Sequence, residues 1–558
     1  MSYASPEDSS AQLAGEKNVP TRAGRRSGVS PWLKVGVPVA IIAVILAAVL
    51  GGVLGSRAAK NNSNKAVGAS DGSSSDGTTK SSRGSATGSS SGAVATALAA
   101  PGAGNVTIVP LKAWEWGTDK AIGMCLGELE VAKIRGSCAD GVFGPLSSSS
   151  QWMDEDWFIS VAGANSWDQW DFTQNLGDKA AAALDDHYSS WVTEADIEVM
   201  FQHGVNQLRI PTGFWSWIPT VAGEPYVNAG EVAYLEKAMA WCHARGMYVL
   251  IDLHGLPGSQ NGEESSGHNT TSPAWFGNTV NQGRSDAMVL AVLDFVAKSP
   301  YRSVVAGLEV INEPRPYTPA QYTELSDYYS RSYTAIQASA WPITMFIHGA
   351  FIANQFTYWL PFVSARVTNP PSLVFEDHPY PGNFPIQNNT ADILSQVCTA
   401  ANKYLGFPVP IVITEWSVYT GVKTAAFETS FYASQLTTWA WNGGSHYWSF
   451  KLIPSSIQLS IGLDYSQYSW ITLVNNATGT IPTLASANLP NATTPDNANA
   501  FLSSLTGNCG VAPANTAPYN TGAVSAWLPE ASALSSAATV TLKATGTAGS
   551  RVRRRFQS

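Results

Sequence analysis

Charge is scarce in this 558-residue chain: Asp, Glu, Lys and Arg make up only 13% of it, about half the share usual in soluble domains. The balance is −9, so the chain has no basic face with which to neutralise phosphates, and nucleic acid is excluded as a partner. The one basic cluster, Arg551, Arg553, Arg554 and Arg555, lies in an Ala/Ser/Thr-rich end and reads as a solvated terminus. Cysteine is also sparse. Cys125, Cys138, Cys242, Cys398 and Cys509 contain no CxxC pair, which argues against a zinc ribbon or a thioredoxin-type site. Their odd number leaves at least one thiol free or paired between chains. Cys242 sits in an apolar helical stripe and reads as core, while Cys398 and Cys509 are a candidate disulfide closing the end of the main domain. No GxGxxG or GxxxxGK[ST] follows a strand, so a nucleotide-binding sheet has no support.

Against these shortages stands one long apolar run. Residues 35–54 carry no charge, and at about 1.5 Å per residue a helix of that length spans roughly 30 Å, one bilayer core. It lies too far from the N-terminus for a cleaved signal peptide. The expected organisation is a cytoplasmic tail over 1–34, a transmembrane anchor over 35–54, a stalk over 55–105, a folded domain over 106–510 and a low-complexity tail over 511–558. The stalk is rich in Ser, Gly, Ala and Thr and buries too little apolar area to fold. N-glycosylation sequons begin at Asn61, Asn105, Asn269, Asn388, Asn476 and Asn491, all after the anchor, which favours an exterior C-terminal side.

From residue 106 short apolar runs alternate with amphipathic segments. The spacing predicts strands over 204–211, 247–255, 305–314, 343–351, 372–380, 408–417 and 445–451, with an eighth earlier, near 121–128. Helices are expected over 228–246, with Asn228 and Glu231 as a capping box and Gly246 as the stop, near 285–298, from Thr318–Pro319–Gln321, and near 391–405 and 425–440. Apolar strands alternating with helices imply a parallel sheet buried on both faces. Eight such units over this length suit a closed (β/α)8 barrel with insertions.

Polar residues collect at the strand ends: Arg209, His254, Asn312 with Glu313, His378 with Tyr380, Glu415, and Trp448. In such a barrel these ends share one mouth, and charge placed there without partners is costly. Glu313 and Glu415, at the ends of strands four and seven, would face each other. Two carboxyl groups roughly 5–5.5 Å apart are what retaining glycoside hydrolysis needs, one as nucleophile and one as proton donor. The charged partner would raise the donor's pKa and keep it protonated. Arg209 would hold the nucleophile ionised, Tyr380 would orient Glu415, Asn312 would bind a sugar 2-hydroxyl and Trp448 would floor the subsite. A mere ion-pair network at the mouth is the plainer alternative. Trp275, Phe276 and Phe384 are candidate outer aromatic clamps or packed loop residues.

RIP at 209–211, DLHGLPGSQNG at 252–262, INEP at 311–314, HPY at 378–380, TEWS at 414–417 and HYWSFK at 446–451 resemble glycoside hydrolase family 5, most closely its exo-β-1,3-glucanase subfamily of fungal-type cell walls. The resemblance covers roughly residues 106–510. It implies Glu313 as acid/base, Glu415 as nucleophile, Arg209, His254, Asn312, His378, Tyr380 and Trp448 as supporting or sugar-binding positions, no metal or organic cofactor, β-glucan as partner, and a monomer anchored to the plasma membrane with its catalytic domain facing the wall. The chain departs from the subfamily over 123–158, where Ser150 stands in place of an expected Glu and Glu128 or Glu130 is the candidate substitute. A β-1,6-glucanase, an endo-acting relative, a transglycosylase and a glucan-binding protein without turnover are the readings left beside an exo-glucanase.

Overall fold

The computed structural model describes residues 108–127 and 154–513, apart from 164–165, 167, 476–480 and parts of 454–463. The anchor, the stalk, Glu128, Glu130, Ser150, Cys138 and the tail beyond 513 lie outside the described residues. Among the described residues no helix is long and apolar enough to cross a membrane.

Eight parallel strands close into a barrel in sequence order. They are β1 Ala121–Cys125, β2 Gln207–Gly213, β3 Tyr248–Gly255, β4 Val305–Glu309, β5 Met345–His348, β6 Leu373–Asp377, β7 Ile411–Trp416 and β8 Gly444–Tyr447, with β1 hydrogen-bonded to both β2 and β8. Helices follow the strands, among them Glu231–Arg245, Thr279–Lys298, Pro319–Gln337, Thr390–Tyr404 and Ala425–Trp439. All eight expected strands are present, β4 shorter than its apolar run suggests.

Alternation along the strands divides two cores. Leu208, Ile210, Val249, Ile251, Leu253, Leu308, Met345, Ile347, Leu373, Phe375, Ile411 and Ile413 join the large cluster formed with the helices. Leu250, Phe346, Val374 and Val412 form a smaller cluster with Trp116, whose indole N–H donates to Ala306 O at 2.9 Å. Gly123 is forced by crowding: a Cβ there would stand 2.1 Å from the His446 ring.

Local signals hold in part. Thr318 and Gln321 form the expected capping box with Pro319 in the first turn, and Gly246 ends its helix in the left-handed region at φ 71°. The capping box expected from Asn228 and Glu231 does not form. The N-cap is Gly230, at φ 86°. Asn228 accepts from the Gly230 N–H and Glu231 from the Ala229 N–H, so the two side chains tie the turn ahead of the helix separately.

Cys398 and Cys509 are bonded across 111 residues, and Cys125 and Cys242 are buried free thiols. The bridge ties the end of the barrel domain to the helix Thr390–Tyr404. Closing a loop of this length restricts the unfolded chain, and Cys509→Ser is expected to cost about 2–4 kcal/mol. Urea unfolding reads this directly; an unchanged midpoint would contradict it.

Candidate active site

Arg209 is the centre of the buried polar layer. It lies third in β2 rather than at the strand's end, with no exposed surface. Its Nε and Nη2 donate to the two oxygens of Glu309 at 2.7 and 2.8 Å. Nη2 also meets Asn312 Oδ1 at 2.8 Å and Asp252 Oδ2 at 3.0 Å, and Nη1 donates to Glu415 Oε1 at 2.8 Å. One planar fork thereby serves three carboxylates, a geometry that lysine cannot reproduce. Burial opposes the charge on Arg209, but Asp252, Glu309 and Glu415 outweigh it and hold the guanidinium protonated.

Glu415, in β7, receives its second hydrogen bond from Tyr380, whose hydroxyl donates to Oε2 at 2.8 Å. Burial, then the Glu415 charge, pushes the Tyr380 phenol well up, so it remains a neutral donor. Arg209 and Tyr380 thus each hydrogen-bond one oxygen of the Glu415 carboxylate.

Glu313 stands four residues beyond the end of β4, not at it. Past the end of the ladder Glu313 takes a left-handed conformation, φ 43°, which an extended strand cannot hold. Tyr380 is alike at φ 37°. Each such residue costs about 1–3 kcal/mol and persists only where its surroundings fix it. The loop after β3 does this for Glu313: Gln260 Nε2 donates to the carbonyls of His254 (2.7 Å) and Asn312 (2.9 Å), and Asn261 Nδ2 donates to the Glu313 carbonyl.

His378 joins the two glutamates. Its Nδ1 lies 2.7 Å from Glu313 Oε1 and 3.7 Å from Glu415 Oε2. Burial opposes ionisation of Glu313, yet the hydrogen bond and charge of His378 overcome it and hold Glu313 well below the usual carboxylate range. For His378, burial works against the charged form, and the charge of Glu415 followed by the bond to Glu313 raises its pKa. This runs against the expectation of a Glu313 kept protonated by its partner: the contact with His378, 2.7 Å away, favours the ionised carboxylate.

The remaining expected residues also converge. His254 Nδ1 bonds Asp252 Oδ2 at 2.6 Å, and its Nε2 lies 3.4 Å from Asn312 Nδ2. Trp448 is buried, stacked parallel to His254 with centroids 5.5 Å apart, and Arg209 lies 5.6 Å from its ring. Of the outer aromatics, Trp275 is a packed residue, buried with its N–H on Ser285 Oγ. Phe276 packs against the main core, whereas Phe384 is 69% exposed beside Tyr380. Asp252, Glu309, Glu376, Thr414, Gln260 and Asn261 complete the site, and sequence reasoning assigns none of them a role. The available signal was a charge such as Glu309 or Glu376 inside an otherwise apolar strand.

A family model described as cellulase (glycosyl hydrolase family 5) matches residues 175–447. The probable glucan 1,3-beta-glucosidase A of Aspergillus terreus is 30% identical over 297 residues, covering 52% of this chain and 67% of that protein. The chain belongs to glycosyl hydrolase family 5. Glucan 1,3-beta-glucosidase 1 of Schizosaccharomyces pombe is 36% identical to this family 5 chain over 259 residues, 45% of this chain and 60% of that protein. The chain thus spans about three fifths of the length of the first curated relatives it matches. Among solved structures, a rutinosidase from Aspergillus niger superposes with a TM-score of 0.53 at 22% identity, over 62% of this chain and 93% of that one, in keeping with the barrel fold.

Proposed function

We propose that the chain is a retaining glycoside hydrolase that releases glucose from the ends of β-1,3-glucan in cell-wall glucan metabolism. We place it as a monomer on a single-pass type II anchor, its barrel facing the wall. The observation that carries the catalytic reading is the convergence of two carboxylates with different partners on one imidazole nitrogen. The glucan preference is supported by the names of the relatives, and the anchor by the uncharged run at 35–54.

In this reading Glu415, aligned by Arg209 and Tyr380, attacks the anomeric carbon. The glycosidic C–O bond breaks, and its oxygen takes the proton shared by Glu313 and His378, delivered from Glu313. Glu415 is now an uncharged ester. The pair beside it, carboxylate and neutral imidazole, is short of one proton. A water molecule then gives its proton to Glu313 and its hydroxyl to the anomeric carbon, which frees Glu415. Protons and charge return to the starting state.

Glu313→Gln is expected to slow glucan hydrolysis by roughly 10²–10⁴-fold. The first step on an aryl glucoside whose leaving group needs no proton should survive, visible as a burst of released phenol. Wild-type rates on glucan from this variant would remove Glu313 from the acid/base role.

A further inference from the structure

Below the two glutamates lies a tier of buried groups that the steps above do not use. His378 reaches Glu313 through Nδ1, and its Nε2 lies 2.9 Å from Thr414 Oγ1. Thr414 in turn donates its hydroxyl to Glu376 Oε2 at 2.8 Å. All three of the lower groups are buried. A hydroxyl has one proton, and with it committed to Glu376, Oγ1 offers His378 only lone pairs, so Nε2 must be the donor. We propose that Thr414, held by Glu376, is a positioning residue that fixes His378 as the Nε2–H tautomer and so leaves one mobile proton between Nδ1 and Glu313.

The second-tier chemistry suits this role. Burial and the charge of Glu309 push Glu376 well above the usual carboxylate range, and its hydrogen bond with Glu309 raises it further, so its proton is turned to Glu309 and Oε2 is left to accept from the Thr414 hydroxyl. The groups facing His378 are Glu313 beyond β4, Glu309 in β4, Arg209 in β2, Glu376 in β6, Thr414 and Glu415 in β7, and His348 in β5, whose ring centroid lies 4.8 Å away. Glu313 and Glu415 bear on Nδ1, and Thr414 is the hydrogen-bond partner of Nε2.

The consequence concerns the proton-depleted pair. With Nε2–H fixed, neutral His378 turns a lone pair toward the Glu313 carboxylate, and the pair regains a proton readily. Without the Thr414 hydroxyl, neutral His378 can carry its proton on Nδ1 instead and donate it to Glu313. That form resists protonation, and the acid is lost at lower pH.

The inference rests on the glycosidase reading for its kinetic readout alone. The test uses the full-length chain, as wild type, Thr414→Val and Thr414→Ser, with ¹⁵N-labelled histidine rings and the His378 signal assigned by its loss in His378→Gln. Wild type should show Nε2–H when His378 is neutral, and Thr414→Val should show Nδ1–H. With a linear β-1,3-linked glucose oligosaccharide, whose leaving alcohol must be protonated, the basic limb of the kcat/KM profile should fall by about one pH unit in Thr414→Val, and Thr414→Ser should restore both readouts. An Nδ1–H tautomer in wild type, or a Thr414→Val protein with the wild-type tautomer and limb, overturns the proposal. If Thr414→Val fails to fold, the wild-type spectrum alone decides it. A wild type that cleaves no glucoside counts against the glycosidase reading and leaves the tautomer result standing.

Discussion

Arg209→Met is expected to destabilise the protein by about 3–5 kcal/mol, the usual result of removing one partner from a buried ionic network. Arg209, Asp252 and Glu309 have no exposed surface, and Glu415 is 5% exposed. The guanidinium lies within 3.0 Å of all three carboxylates. Methionine fills much of the volume but leaves those acids facing one another. They then keep protons in the folded state that they release when unfolded. Their folded pKa values lie above the unfolded ones, so this part of the stability is present at low pH and lost as pH rises. The deficit of the variant should therefore be larger at pH 8 than at pH 5. Glu309 already shows the tendency, pushed up by burial despite Arg209. Urea unfolding at the two pH values measures it, and equal stability of variant and wild type at both would contradict the network's role. Arg209→Lys should fall between them, since a point charge replaces a fork that reaches three acids at once.

Glu415→Gln is expected to lower kcat on glucan by at least about 10³-fold, as loss of a covalent nucleophile does elsewhere. The amide keeps the shape and one acceptor but cannot form the glycosyl ester. It also removes the charge that most strongly favours protonated His378. The histidine should therefore titrate at lower pH in the variant, a change visible by NMR without turnover. A variant that binds glucan, fails to cleave it and shows the lowered His378 titration supports both assignments. Turnover within a few-fold of wild type would remove Glu415 from the nucleophile's place.

The barrel was legible because each strand is a short apolar run bounded by helix signals, as in the segment from Tyr248–Gly255 through Thr279–Lys298 to Val305–Glu309. The pair of glutamates was legible because both stand at the mouth beside polar neighbours in NEP and TEWS. What the strand pattern hides is who meets whom inside the barrel. Glu309 and Arg209 are 100 residues apart and share two hydrogen bonds. Thr414 and Glu376 look like ordinary strand residues until β6 and β7 are paired. The surroundings of Glu313 are hidden for the same reason, since proximity of Glu415 argues for a raised pKa and the contact with His378, distant in sequence, lowers it. The Asn228–Glu231 box failed more locally, because the helix begins at Glu231 with Gly230 at the N-cap, which puts Asn228 two residues ahead of the cap position.

Our proposal is that Glu313 and Glu415 hydrolyse β-glucan with retention at the chain end. Time-resolved ¹H NMR of the full-length protein acting on a linear β-1,3-glucan tests it most directly. β-Glucose should appear first, α-glucose should follow only by mutarotation, and longer oligosaccharides should not accumulate. α-Glucose appearing first would contradict the retaining pair, and bound glucan with no product at all would make the chain a binding protein built on an enzyme's barrel.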